Sequence, residues 1–136
     1  MVEVNVTYDG GLRCRAKHGP SGVELTTDAP KDNMGKGEAF SPTDLVATAL
    51  ATCIATTMAI VANRKGYDLP PMTVHVEKHM TSAPPRRIER LPVVVTIPLP
   101  EDHPDRELLE GAGRGCPVHR SLHPDVQAPI EFVWNG

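Results

Sequence analysis

Aromatic side chains are scarce: one Trp, two Tyr and two Phe in 136 residues. A core built without them must draw its volume from many small Val, Leu, Ile, Ala and Met side chains. A long alanine-rich helix that packs closely, including against a copy of itself, suits that composition. Cysteine is also sparse. Cys14, Cys53 and Cys116 are an odd, widely spaced set, which excludes the disulfide framework of a small secreted domain. No basic block is present, and the net charge is -3, so nucleic acid is not an expected partner. The opening stretch, MVEVNVTYDGG, lacks the basic and then apolar order of a signal peptide, and the reducing cytoplasm is the expected location. There, paired cysteines are more often redox-active than structural.

Other absences narrow the chemistry. No CxxC or HExxH motif occurs, so a metal site would need distant residues, and none is expected. Candidate pairs are Cys116 with His119, three apart, and Cys14 with His18, four apart. The Gly10-Gly11 and Gly35/Gly37 pairs lack the strand-then-helix context of a phosphate loop, so no cofactor is expected. With no repeat, linker or low-complexity segment, residues 1–136 read as a single domain.

The elements that are present follow from pattern. Val2, Val4 and Val6 alternate before the turn signal at Gly10-Gly11. Leu12 to Lys17 and Val23 to Thr26 then complete a three-stranded meander. Residues 28–40 read as a loop. Ser41-Pro42-Thr43-Asp44 opens a helix, with Ser41 as cap, Pro42 in the first position and Asp44 able to reach back to the free amide. Arg64, Lys65 and Gly66 close it. Leu45 to Ala62 runs for 18 residues without a charge, the length at which a membrane span must be weighed. Four threonines, six alanines and no aromatic anchors in that stretch argue instead for the buried axis of a globular fold, with no membrane partner.

Downstream, residues 72–80 and 86–98 each read as one strand. In the second, Ile88, Leu91, Val93, Val95 and Ile97 point mostly one way. Residues 104–114 form a short helix with Leu108 and Leu109 inward. Cys116-Pro117 starts another, and Val126 to Trp134 is a closing edge strand interrupted by Pro129. The order βββ-α-ββ-αα-β is that of an α+β domain.

Two cysteines stand out. Cys53 lies mid-helix on a face with Ala49, Thr57 and Ile60, where a free thiol often serves as an inert small hydrophobe. Cys116 sits at a helix cap, where free amides favour a thiolate and lower its pKa. Gly113 and Gly115 would give that segment freedom to move. A helix-embedded thiol with a helix-capping thiol 63 residues later suggests thiol–disulfide chemistry.

These features resemble the OsmC/Ohr family of thiol-dependent peroxidases. The matching segments are 35-GKGEAFSPTDL-45, 45-LVATALATC-53 continuing to Gly66, 86-RRIERLPVVVTIP-98 and 107-ELLEGAGRGCPVHRSL-122, spread over nearly the whole chain. The resemblance implies an intertwined homodimer with antiparallel sheets wrapped around long central helices. It implies that Cys53 attacks an organic hydroperoxide and becomes a sulfenic acid. Cys116 then closes a disulfide, which a dithiol of the dihydrolipoyl type reduces. The family's peroxidases carry a glutamate ten residues before the reactive cysteine, which orients an arginine toward the thiolate. Thr43 stands at that position here. Asp44 is the adjacent carboxylate and Arg15 the candidate cation, with Arg13 as the other arginine of the meander. Two readings remain open: an organic hydroperoxide reductase using Cys53 and Cys116, or a divergent member that binds or senses a small apolar or electrophilic molecule with little turnover.

Overall fold

The computed structural model describes residues 1–136. The chain forms two compact units, residues 1–46 and 47–136, divided within the long helix.

In the first unit, β1 (Val4–Gly10), β2 (Arg13–His18) and β3 (Glu24–Asp28) form an antiparallel sheet in the order β1-β2-β3. Gly10, Gly11 and Leu12 all adopt positive φ at the first turn, a conformation that glycine takes without strain. Side chains alternate across a strand, and the register sets Val4, Val6 and Tyr8 beside His18, Ala16 and Cys14, with Leu25 opposite Ala16. The same face is therefore mostly apolar, and the other carries Arg13, Arg15, Lys17 and Asp28. The buried groups of this unit are polar, namely Thr27, Asp28 and Ser41. Its apolar sheet face is open.

Helix α1 runs Pro42–Arg64. At its start the Ser41 amide donates to Asp44 Oδ2 at 2.9 Å and the Asp44 amide donates to Ser41 Oγ at 3.0 Å, a reciprocal cap that satisfies two otherwise orphaned donors. At its end Gly66, with φ 93°, lets the Tyr67 and Gly66 amides fold back onto the Ala62 and Asn63 carbonyls at 3.2 and 3.0 Å. By length and composition α1 could cross a membrane, a test that the core helix of a globular protein also passes. One stripe of α1, Ala47, Leu50, Ala51, Ile54, Met58 and Ala62, is buried. Ala49, Thr52, Thr56 and Ile60 are exposed. Within one chain, the expected all-round burial is thus confined to a single face.

In the second unit, β4 (Thr73–Val76), β7 (Val93–Ile97) and β8 (Ile130–Trp134) form a sheet in that order, and β5 (His79–Met80) pairs with β6 (Ile88–Arg90). Each strand expected as continuous is broken in two. At Pro92 the chain has no amide hydrogen to offer, and Leu91-Pro92 separates β6 from β7. The β4–β7 ladder is antiparallel, whereas β7–β8 is parallel, which departs from the all-antiparallel expectation. Helices α2 (Arg106–Arg114) and α3 (Pro117–Ser121) lie between β7 and β8 and supply the crossover that a parallel pair needs. Leu91, Val93, Val95 and Ile97 are buried with Leu50, Ile54, Met58, Leu109 and Trp134. Leu108 is 48% exposed while Leu109 is fully buried; successive helical residues are about 100° apart, so only one of the two can face inward.

Candidate functional site: a thiol pair

Cys53 occupies the middle of α1 and is partly exposed. Its sulfur lies 3.8 Å from the Thr57 hydroxyl one turn later. Spacing alone puts those residues on one helix face but gives Thr57 no role.

Cys116 caps α3. Extended backbone (φ -63°, ψ 147°) precedes Pro117, and the sulfur accepts the His119 amide hydrogen at 3.3 Å. His119 is fixed in turn by Nε2 on the Ala128 carbonyl at 3.2 Å. The Cys116 side chain is fully buried. Cys53 is among the groups near enough to act on the Cys116 thiol.

Burial pushes the Cys116 thiol up, and the hydrogen bond and charge of Cys53 add to that; the His119 and Val118 amides pull it down. The balance reverses the sequence expectation of a lowered pKa at the cap. Desolvation of a thiolate in an apolar setting outweighs what a short helix's amides return. Nor does Gly113 serve as a hinge. A Cβ there would meet the Phe132 ring at 3.1 Å and Ile54 at 3.3 Å, so the missing side chain lets α2 approach the wall that carries Cys53's neighbour.

The remaining candidates lie in residues 1–46. Arg15 projects from β2 and bonds Asp9 at 3.4 Å, half exposed. Arg13 is held by two carboxylates, Glu38 and the buried Asp28, and its guanidinium pKa is raised chiefly by the Glu38 bond. Asp28 is held below the usual carboxylate range, first by the Glu38 amide, against the opposing effect of burial. Asp28 and Glu38 sit in or beside a segment whose composition reads only as loop. Asp44 uses Oδ2 in the cap described above, and the Thr43 hydroxyl is 3.1 Å from that of Ser41. Cys14 lies on the apolar face of β2, free and partly exposed. No group of three or more His, Cys, Asp or Glu side chains is arranged to hold a metal ion.

The family model described as OsmC-like protein matches residues 35–131. A structure from Psychrobacter arcticus, provisionally described as an osmotic stress induced and detoxification response protein, is 40% identical. It aligns over 97% of this chain and 96% of that one with a TM-score of 0.89. An organic hydroperoxide resistance protein from Legionella pneumophila is 18% identical, with coverage of 98% and 96% and a TM-score of 0.78. A Vibrio cholerae protein, provisionally assigned to organic hydroperoxide resistance and holding captopril in one of its active sites, is 22% identical, with coverage of 96% and 90% and a TM-score of 0.71. These last two establish the shared fold. No curated protein matches the chain.

Proposed function

The chain belongs to the OsmC-like family, and from that premise we propose that it is a thiol-dependent peroxidase for organic hydroperoxides. What supports the reading is that the fold brings Cys53 near enough to act on the Cys116 thiol, although the two are 63 positions apart in the sequence. The Cys53 thiolate attacks the outer peroxide oxygen, which keeps its hydrogen; the O–O bond breaks, Cys53 becomes a sulfenic acid, and the departing alkoxide takes a proton from solvent and leaves as an alcohol. Cys116 attacks that sulfur, the S–O bond breaks, water departs and a disulfide remains, which a dithiol of the dihydrolipoyl type returns to two thiols. The differing environments suit the roles: the partly exposed thiol meets substrate, and the buried one captures the sulfenic acid before overoxidation. Arg15 and Asp44 are assigned assisting roles on the resemblance alone. The working form is a cytoplasmic homodimer, a reading supported by the uncovered apolar surfaces of β1–β3 and α1.

A second reading rests on one observation. Thr43 replaces the expected glutamate, and the neighbouring Asp44 carboxylate is occupied as a cap. A member so altered would bind or sense a small apolar or electrophilic molecule with little turnover. Treating the reduced protein with cumene hydroperoxide and mapping its peptides separates the two. A Cys53–Cys116 disulfide with Cys14 free is expected. Recovery of both thiols unmodified after prolonged exposure removes the peroxidase and leaves the binder.

A further inference from the structure

We infer that His119 is the positioning residue for the thiol that captures the sulfenic acid: its imidazole fastens the helix that Cys116 caps to the edge of the β4-β7-β8 sheet, and this fastening sets how fast Cys116 closes the disulfide. The inference rests on the peroxidase reading above. Cys116 and His119 are three apart, a spacing that in the sequence reads as a candidate metal pair. The structure gives both ends of His119 other work. Its amide donates to the Cys116 sulfur at 3.3 Å, and its Nε2 lies 3.2 Å from the Ala128 carbonyl oxygen. A carbonyl only accepts, so Nε2 carries the hydrogen.

The acceptor is fixed. On one side of Ala128, the Gln127 amide donates to the Glu89 carbonyl at 3.1 Å and the Leu91 amide to the Gln127 carbonyl at 2.7 Å. On the other side, the Val93 amide donates to the Pro129 carbonyl at 2.9 Å. Carbonyls on successive residues of an extended chain point to opposite sides, so the Ala128 carbonyl turns away from this ladder. β8 is the last strand of its sheet, and a carbonyl on its outer side has no strand to pair with. The His119 ring supplies that donor. Helix α3 has only five residues, Pro117–Ser121, too few to hold their own conformation. Arg120 Nε donates to the Gly115 carbonyl at 2.9 Å and so ties α3 only to the residue before its cap. His119 makes the side-chain bond that joins α3 to the sheet. Closure depends on that placement. The Cys116 sulfur must attack the Cys53 sulfur, the S–O bond breaks, and the thiol hydrogen departs with the hydroxyl as water. A misplacement of about 1 Å can cost about 10²-fold in such a step. Oxidation of Cys53 by the hydroperoxide does not use Cys116.

Timing the two steps separately in the full-length protein tests this. After cumene hydroperoxide is added, Cys53 sulfenic acid is followed with a sulfenic-acid trap, and the Cys53–Cys116 disulfide by non-reducing peptide maps. His119→Ala should slow closure about 10–100-fold and leave sulfenic acid formation within about twofold of wild type. In excess hydroperoxide the waiting sulfenic acid gains a second oxygen and a second alcohol leaves, so Cys53 sulfinic acid should accumulate in this variant. His119→Gln keeps an N–H donor without a titratable group and should restore closure to within about threefold of wild type. Arg120→Ala, which leaves the bond to the sheet in place, should also close within about threefold. Equal slowing of both steps in His119→Ala, or closure unchanged there, overturns the inference while sparing the peroxidase reading. So does His119→Gln as slow as His119→Ala, or Arg120→Ala as slow, which would make any loosening of α3 the cause. A wild-type protein that forms no disulfide removes the peroxidase reading itself, and this role with it.

Discussion

The Tyr67 hydroxyl donates to Asp105 Oδ2 at 2.7 Å, and the Lys65 ammonium donates to Oδ1 of the same carboxylate at 2.6 Å. Burial, then the bond and charge of Asp105, push the phenol up to about 12. A group whose folded pKa lies above its unfolded value stabilises the fold below the unfolded pKa, about 10 for tyrosine, and loses that contribution as pH rises through about 12. Melting wild type and Tyr67→Phe side by side should thus give a stability difference that is constant up to about pH 10 and shrinks toward pH 12. A difference unchanged across that window would mean the phenol is not held. Asp105 has the opposite sign: Lys65 first, then Tyr67, hold it below the usual carboxylate range, so its contribution fades in acid. None of this was legible beforehand, because the partners are 38 and 40 residues apart and no sequence period encodes such a meeting. Gly113 shows the same limit. Glycine reads as freedom when only the chain is visible, and as a close approach once Phe132 and Ile54 are seen against it.

At the scale of elements, what is local was readable and what is non-local was not. Both ends of α1 are built from residues within a few positions of each other. Ser41, Pro42 and Asp44 start it and Gly66 stops it. Ser41→Ala removes the hydroxyl that accepts the Asp44 amide at this part-buried cap. A cost of about 1–2 kcal/mol is expected, or a drop in Tm of roughly 3–8 °C for a chain of this size. Ser41→Asp, which restores an acceptor, should recover part of it, and equal melting of all three proteins would deny the cap its role. By contrast, the breaks within residues 72–80 and 86–98 depend on where β4 stops pairing. The ladder ends at Val76 opposite Val93, and the Glu77 amide turns to the Pro92 carbonyl at 3.1 Å. The parallel placement of β8 depends on how α2 and α3 fill the crossover. Hydrophobic alternation is the same for either strand direction, so the sequence pattern is silent on it.

For the molecule as a whole, the shortage of aromatics noted first becomes a question of what covers the β1–β3 sheet. Val4, Val6, Tyr8 and Leu25 share one face and are 56%, 62%, 62% and 45% exposed. Contiguous apolar surface of this kind marks an interface, and at about 25 cal/mol per Å² its burial contributes measurably to assembly. A homodimer is the expected occupant, and sedimentation at micromolar concentration should give about twice the 14.7 kDa chain mass. The face assignment sharpens the test. Val6→Lys places an ammonium on the apolar side and should shift the protein toward monomer with a lower Tm. Asn5→Glu, one residue away but on the opposite side and across from Lys17, should leave the assembly intact. If both variants and the wild type sediment alike as single chains, the apolar face has some other covering and the dimeric form of the proposal is lost. The thiol pair, carried wholly by residues 47–136, would still stand to be tested on its own.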